Sequence, residues 1–119
     1  MAQICTTREQ SQMLLDLGIK RETADMFWPL ESSFPEVCDN GDNEQVDHPA
    51  WSLGALIHMM PNEIRDERFN VVYYLTINKD SITYSNRMED EECEYECYGN
   101  LFDCCVAMID MLKSSEYGL

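Results

Sequence analysis

The stretch FNVVYYLTINKDSITYSN, residues 69–86, indicates the fold class of this chain. In its first half, apolar or aromatic side chains recur at every second position, and β-branched and aromatic types dominate, which is typical of a strand. NKDS then supplies turn residues, after which Ile82 and Tyr84 alternate with Thr83 and Ser85 on a return strand. The sequence therefore predicts an antiparallel hairpin. The later segment CEYECY leaves a third strand open, because acidic residues from Glu89 to Glu96 make the region before it a charged bend.

Two apolar helical segments are expected to cover this sheet. Residues 100–113 begin at Asn100, a favourable N-cap residue, and carry one broad apolar face. Residues 52–60 begin at Ser52 and end before Pro61, which cannot continue a helix. The core stripe of this second helix is predicted to consist of Leu53, Leu56, Ile57 and Met60.

The N-terminal part is predicted to form a helical corner over residues 6–28. Capping boxes are available from Thr6 to Glu9 and from Thr7 to Gln10. After a glycine that can end the first helix, RETADMF is expected to form a second short helix.

Residues 29–49 are rich in proline and show no sustained period, so they are expected to form a long connection. The order of these elements predicts a single α+β domain over residues 1–119. In that domain a small antiparallel sheet, the hairpin with the open third strand, is covered by three to four helices.

The charge of the chain argues against direct nucleic-acid binding. Eight basic residues against 23 acidic residues give a net charge of -15, which repels phosphate backbones and anionic lipid. The chain has no apolar run of about 18 residues that could span a membrane, and MAQICTTREQ lacks the basic and apolar regions of a signal peptide. A cytoplasmic protein that does not bind membranes is expected.

The cysteines are expected to be reduced thiols. Cys104 and Cys105 are adjacent on the buried side of the last helix, as core thiols of a cytosolic protein would be. CEYEC spaces Cys93 and Cys97 on a strand that would point both to the face of Tyr95. No second matched pair completes a zinc site, so no metal and no cofactor are expected.

Catalysis is expected to be absent, and no catalytic residues are assigned. The chain offers only His48 and His58 as imidazole bases, and it has no glycine-rich phosphate loop and no motif around a cysteine. A small thiol or hydrolytic enzyme is the third-ranked alternative.

The acidic run EDEECEYE admits two interpretations. A solvated face that keeps the domain soluble is the first. The second is phosphate mimicry, in which spaced carboxylates occupy the basic groove of a DNA-binding protein. The acidic surface would consist of Glu89, Asp90, Glu91, Glu92, Glu94 and Glu96.

The helix over residues 52–60 also has a second apolar face opposite its core stripe. Trp51, Gly54, Ala55, His58 and Met59 lie on this side. Either the domain buries this face or a partner covers it. The surface formed by Trp51, Ala55, His58 and Met59 is a candidate for binding a protein partner, with Trp51 as the anchor. The sequence also leaves open whether the protein forms a homo-oligomer.

Two resemblances support a protein-contact role. LLDLGIKRETADMF resembles the opening helical hairpin of ubiquitin-associated domains. TADMFW, PAWSLGALIHMMP, the YYLTI to ITY hairpin and NLFDCCVAMIDML, taken in this order, resemble a family of small uncharacterised proteins encoded in prophages and mobile elements of gut bacteria. This second resemblance covers about residues 7–112, and the chain departs from it by being richer in cysteine and acid.

The mobile-element resemblance implies a cytosolic α+β domain without a known cofactor and provides no catalytic residues. The function expected is a non-catalytic interaction or accessory protein that binds another protein. The alternative is an acidic DNA-mimic inhibitor of a DNA-binding protein.

Overall fold

The computed structural model describes residues 3–29, 34–37, 48–87 and 93–115. The chain, for which the sequence predicts one domain, divides into two compact units, Met1–His58 and Met59–Leu119. Each unit contains its own antiparallel sheet. The α+β class is confirmed, but the single small sheet is a correction: the described residues form a three-stranded and a four-stranded sheet with three α-helices.

Helix α1, Arg8–Asp16, begins at a capping box. The Thr7 hydroxyl accepts from the Gln10 backbone N–H at 3.1 Å, and the Gln10 side chain accepts from the Thr7 backbone N–H at 3.0 Å. The helix ends before Gly18, whose φ of 89° lies in the left-handed region and lets the Ile19 N–H return to the Leu14 carbonyl. This first half of the predicted helical corner is confirmed.

The second predicted helix, over RETADMF, is wrong. Only Arg21–Thr23 form a single 3-10 turn, and Met26–Trp28 form strand β1. β1 pairs antiparallel with β2, Glu36–Val37, which lies within the predicted long connection, and with β3, His48–Ala50, which begins within it. Bulky residues before a proline favour extended backbone, because the residue that precedes proline avoids the helical region. Residues 30–33 and 38–47 of that connection lie outside the described residues.

The core of the first unit is built around β1. Cys5, Met26 and Ala50 form a buried cluster against which Trp28 packs. The Trp28 indole N–H donates to the Thr6 carbonyl at 2.9 Å. These contacts hold the segment before α1 against the sheet.

Helix α2, Leu53–Met59, starts as predicted after Ser52. The Ser52 hydroxyl accepts from the Ala55 N–H at 3.2 Å. The Asp25 carboxylate in turn accepts from both the backbone N–H and the hydroxyl of Ser52. Within the predicted core stripe, Leu56 and Met60 are buried, whereas Leu53 and Ile57 are half-buried.

The second unit contains the four-stranded sheet, in the order β4-β5-β6-β7 with every pair antiparallel. Strands β5, Val71–Asn78, and β6, Ser81–Ser85, confirm the predicted hairpin. The segment CEYECY, for which the sequence left a third strand open, forms strand β7, Cys93–Tyr98. Strand β4, Glu63–Asp66, was not predicted, since four residues with three charges give no clear alternation signal.

Helix α3, Leu101–Ser114, confirms the predicted C-terminal helix and packs on β6 and β7. The Asn100 side chain caps it by accepting from the N–H groups of Phe102 and Asp103 at 2.9 and 3.1 Å. We call the face of the four-stranded sheet that carries Ile82 and Tyr84, both fully buried, the inner face. Within the described ranges, no helix has the length and apolar character needed to span a bilayer.

Candidate functional site

The face of β5 and β6 opposite the inner face carries short polar side chains, and we call it the outer face. Alternation along the strands places these residues together: Thr76, Asn78, Ser81, Thr83 and Ser85. With three further side chains, described below, they line an open groove of about 410 Å³. This polar groove is the site that the described residues of the second unit present most clearly.

Arg87 gives the groove a fixed positive charge. One of its terminal nitrogens donates to the Leu75 carbonyl at 3.0 Å and to the Thr76 hydroxyl at 3.1 Å. Its guanidinium lies over the Tyr74 ring, 5.1 Å from the centroid. Since these contacts hold the side chain in place, a partner would meet an arginine that has already lost much of its conformational entropy.

A β-bulge in β7 changes the direction of Cys93. Tyr84 is opposite Tyr95, but Ser85 is opposite Cys93, so Glu94 is the extra residue. Cys93 therefore lines the outer groove, while Cys97, opposite Ile82, belongs to the inner face. The expectation that Cys93 and Cys97 share a face is wrong, because a bulge of one residue reverses the side to which a strand residue points.

Tyr98 and Glu96 form the β7 side of the outer face. Tyr98 lines the groove, is 69% exposed and donates its hydroxyl hydrogen to a Glu96 carboxylate oxygen at 3.2 Å. Glu96 is opposite Thr83 in the sheet. The outer face thus combines hydroxyl, amide, guanidinium and carboxylate groups on three neighbouring strands and on Arg87, which follows β6.

Strand β7 carries the thiol Cys97, and helix α3, which packs on it, carries Cys104 and Cys105. Cys97 is half-buried, whereas Cys104 and Cys105 have no exposed surface, as predicted for core thiols. Burial, with the Cys104 hydrogen bond to Cys97 as a further cause, raises the pKa of the Cys104 thiol to about 12. Burial likewise raises the pKa of Cys105 to about 12. Both thiols are therefore protonated at neutral pH.

The predicted partner surface on α2 is only partly exposed. Trp51 has no exposed surface, and its indole N–H donates to the Thr23 hydroxyl at 2.9 Å. Its backbone N–H donates to the Thr6 hydroxyl, and its carbonyl accepts from the Thr6 N–H. The role of Trp51 as an exposed anchor is therefore wrong. Ala55 and Met59 are half-buried and His58 is exposed, so these three remain a predicted surface.

The predicted acidic surface is described at two of its positions. Glu94 and Glu96 are exposed on β7. The other four, Glu89, Asp90, Glu91 and Glu92, lie outside the described residues. Among the residues that the structure describes, no three histidine, cysteine or acidic side chains stand close enough together to hold a metal ion.

The sequence contained part of the signal for the groove. The alternation of Ile82 and Tyr84 with Thr83 and Ser85 was visible, and the polar partners of an alternating strand mark its second face. No pattern in the sequence predicts that Arg87 lies in the groove, because its φ of 54° and its contacts with β5 depend on how the strands pair.

Comparison with protein-family models, with curated proteins and with solved structures gave no match to this chain. The resemblance to mobile-element proteins therefore stays a prediction based on the quoted segments.

Proposed function

We propose that the protein is a non-catalytic interaction protein, in line with the accessory role that the mobile-element resemblance implies. It binds a protein partner through the polar groove on the outer face of the four-stranded sheet. The observation that carries this proposal is the groove itself, whose donors and acceptors are held by neighbouring strands. Recognition by such a surface depends on hydrogen bonds to fixed groups.

The composition of the groove favours binding over catalysis. Six of the eight described lining residues carry a hydroxyl or amide group. Hydroxyl and amide groups suit a polar partner surface instead.

Outside the point where Arg87 lies, the charge of the chain favours a partner with basic residues. The chain has a net charge of -15, and Glu94 and Glu96 are exposed on the strand that borders the groove. Lysine or arginine on the partner would be attracted during encounter, and the attraction would weaken with added salt.

The test is affinity capture from the native host with the full chain and two variants. Thr83 lies in the groove opposite Thr76 and Glu96, so Thr83→Arg should fill it without changing the strand pairing. Ser114→Arg adds the same side chain at an exposed position at the end of α3, and it is the matched control.

We expect a partner that is captured by the wild-type and Ser114→Arg chains but not by Thr83→Arg, with the melting temperatures of both variants close to that of the wild type. The purified partner should then show the same order of affinities by titration calorimetry. A partner retained equally by all three chains would remove the groove from the interface.

The DNA-mimic function is the second candidate, and the exposure of Glu94 and Glu96 favours it. It requires a DNA-binding protein as partner, competition by duplex DNA, and loss of binding when both glutamates are replaced by glutamine. A partner that is indifferent to duplex DNA contradicts this function and leaves the groove proposal standing.

A further inference from the structure

Two thiols from different elements meet at the inner face of the four-stranded sheet. Cys97 comes from β7, where it is opposite Ile82, and Cys104 comes from the first turn of α3. The chain reverses between them at Gly99, whose φ of 119° suits a glycine, and at the Asn100 cap. Helix α3 packs on β7, and a side-chain hydrogen bond with Cys97 is among the causes that raise the pKa of the Cys104 thiol. The two thiols therefore face each other between β7 and α3.

The two thiols differ in their access to solvent. Cys97 is half-buried, so a small oxidant can reach it, whereas Cys104 has no exposed surface. A solvent-accessible first thiol with a second, resolving thiol beside it is the usual arrangement of an oxidation-sensitive pair.

We propose that Cys97 and Cys104 form an oxidation site at which hydrogen peroxide converts the two thiols into a disulfide between β7 and α3. This inference is independent of the proposed interaction function, since it concerns the inner face and needs no partner.

The chemistry has two steps. The Cys97 sulfur, as thiolate, attacks one oxygen of hydrogen peroxide; the O–O bond breaks, and the departing hydroxide takes up a proton as water, leaving Cys97 as a sulfenic acid. The Cys104 sulfur then attacks the Cys97 sulfur; the S–O bond breaks, and the hydroxide leaves with the Cys104 proton as a second water. Two thiols are oxidised to one disulfide, and one peroxide is reduced to two waters.

The remaining described thiols of this unit provide internal controls. Cys93 is exposed but lies on the outer face because of the bulge at Glu94. Cys105 is buried next to Cys104 on α3 and is the one competitor for Cys97. The experiment must therefore separate a bond to Cys104 from a bond to Cys105.

The experiment treats the folded full-length chain with hydrogen peroxide, alkylates the remaining thiols and maps the products by mass spectrometry. Chymotrypsin cleaves after aromatic residues, so cutting at Tyr98 and Phe102 separates Cys97 from the fragment that holds Cys104 and Cys105. The same treatment is applied to Cys97→Ala, Cys104→Ala, Cys105→Ala and Cys93→Ala.

We expect the wild type, Cys105→Ala and Cys93→Ala to yield the Cys97-linked fragment pair, which a dithiol reductant separates. Cys97→Ala should yield no such pair, and Cys104→Ala should instead accumulate Cys97 sulfenic acid, which a dimedone reagent traps. The proposal is overturned if the wild type shows Cys97 sulfenic or sulfinic acid without the linked pair, or if Cys104→Ala links as efficiently as the wild type. Because the wild-type map alone can give the overturning result, the proposal does not depend on every variant folding.

Discussion

Replacing Tyr84 by phenylalanine isolates one long-range hydrogen bond in the second unit. Tyr84 on β6 has no exposed surface, and its hydroxyl donates to the Pro61 carbonyl at 2.7 Å. Burial raises the pKa of this phenol, so it remains a donor well above neutral pH. Phenylalanine retains the ring but removes the donor, which leaves the partly buried Pro61 carbonyl without this bond. A net hydrogen bond contributes about 1 kcal/mol, and an unsatisfied buried group costs about 1 to 3 kcal/mol, so we expect a loss of roughly 1 to 2 kcal/mol in the free energy of unfolding.

The matched control is Tyr74→Phe on the neighbouring strand. Among the described residues the Tyr74 hydroxyl has no hydrogen-bond partner, and its ring, over which Arg87 lies, is retained. The same chemical change should here alter stability by less than about 0.5 kcal/mol. Urea unfolding, followed by circular dichroism with shared slopes, measures both variants. Equal losses in the two variants would refute the assigned role of the Tyr84 bond.

Burial of the thiols and of α2 supports four further expectations. Cys93, which is exposed, should react with a thiol reagent in the native protein, whereas Cys104 and Cys105 should react only on unfolding. Timed alkylation followed by mass spectrometry measures these rates. Fast labelling of Cys104 and Cys105 in the native protein would contradict their burial. Leu56→Ala should cost roughly 2 to 5 kcal/mol through a cavity, because Leu56 has no exposed surface. Thermal melts should show little change in melting temperature for Met59→Glu. A loss of stability as large as that of Leu56→Ala would place Met59 in the core. The folded state raises the pKa of Cys104 and Cys105 from 9.0 to about 12, so it holds their protons more tightly than the unfolded chain does. The free energy of unfolding should therefore fall as pH rises from 9 towards 12, and urea unfolding across that window should show a shallower fall for Cys105→Ala.

Local patterns in the sequence determined the elements that are confirmed. The hairpin of β5 and β6 follows from strict alternation on either side of a short polar turn. The Thr7 and Gln10 capping box and the Asn100 cap were readable because each joins groups only two or three residues apart. Such signals survive in the fold because tertiary packing reinforces the local preference.

Tertiary structure alone decided three of the features that differ from expectation. Met26 became a strand residue because it pairs with Val37 and Ala50, which are distant in sequence, and this pairing outweighs a weak helical preference over a short segment. Trp51 became a core residue because its hydrogen bonds with Thr6 and Thr23 come from the N-terminal segment. In β7 the extra residue, Glu94, sends Cys93 to the outer groove and leaves Cys97 beside Cys104. No local pattern specifies a bulge, because the position of a bulge depends on the register with the neighbouring strand. That same register places the groove and the thiol pair on opposite faces of one sheet.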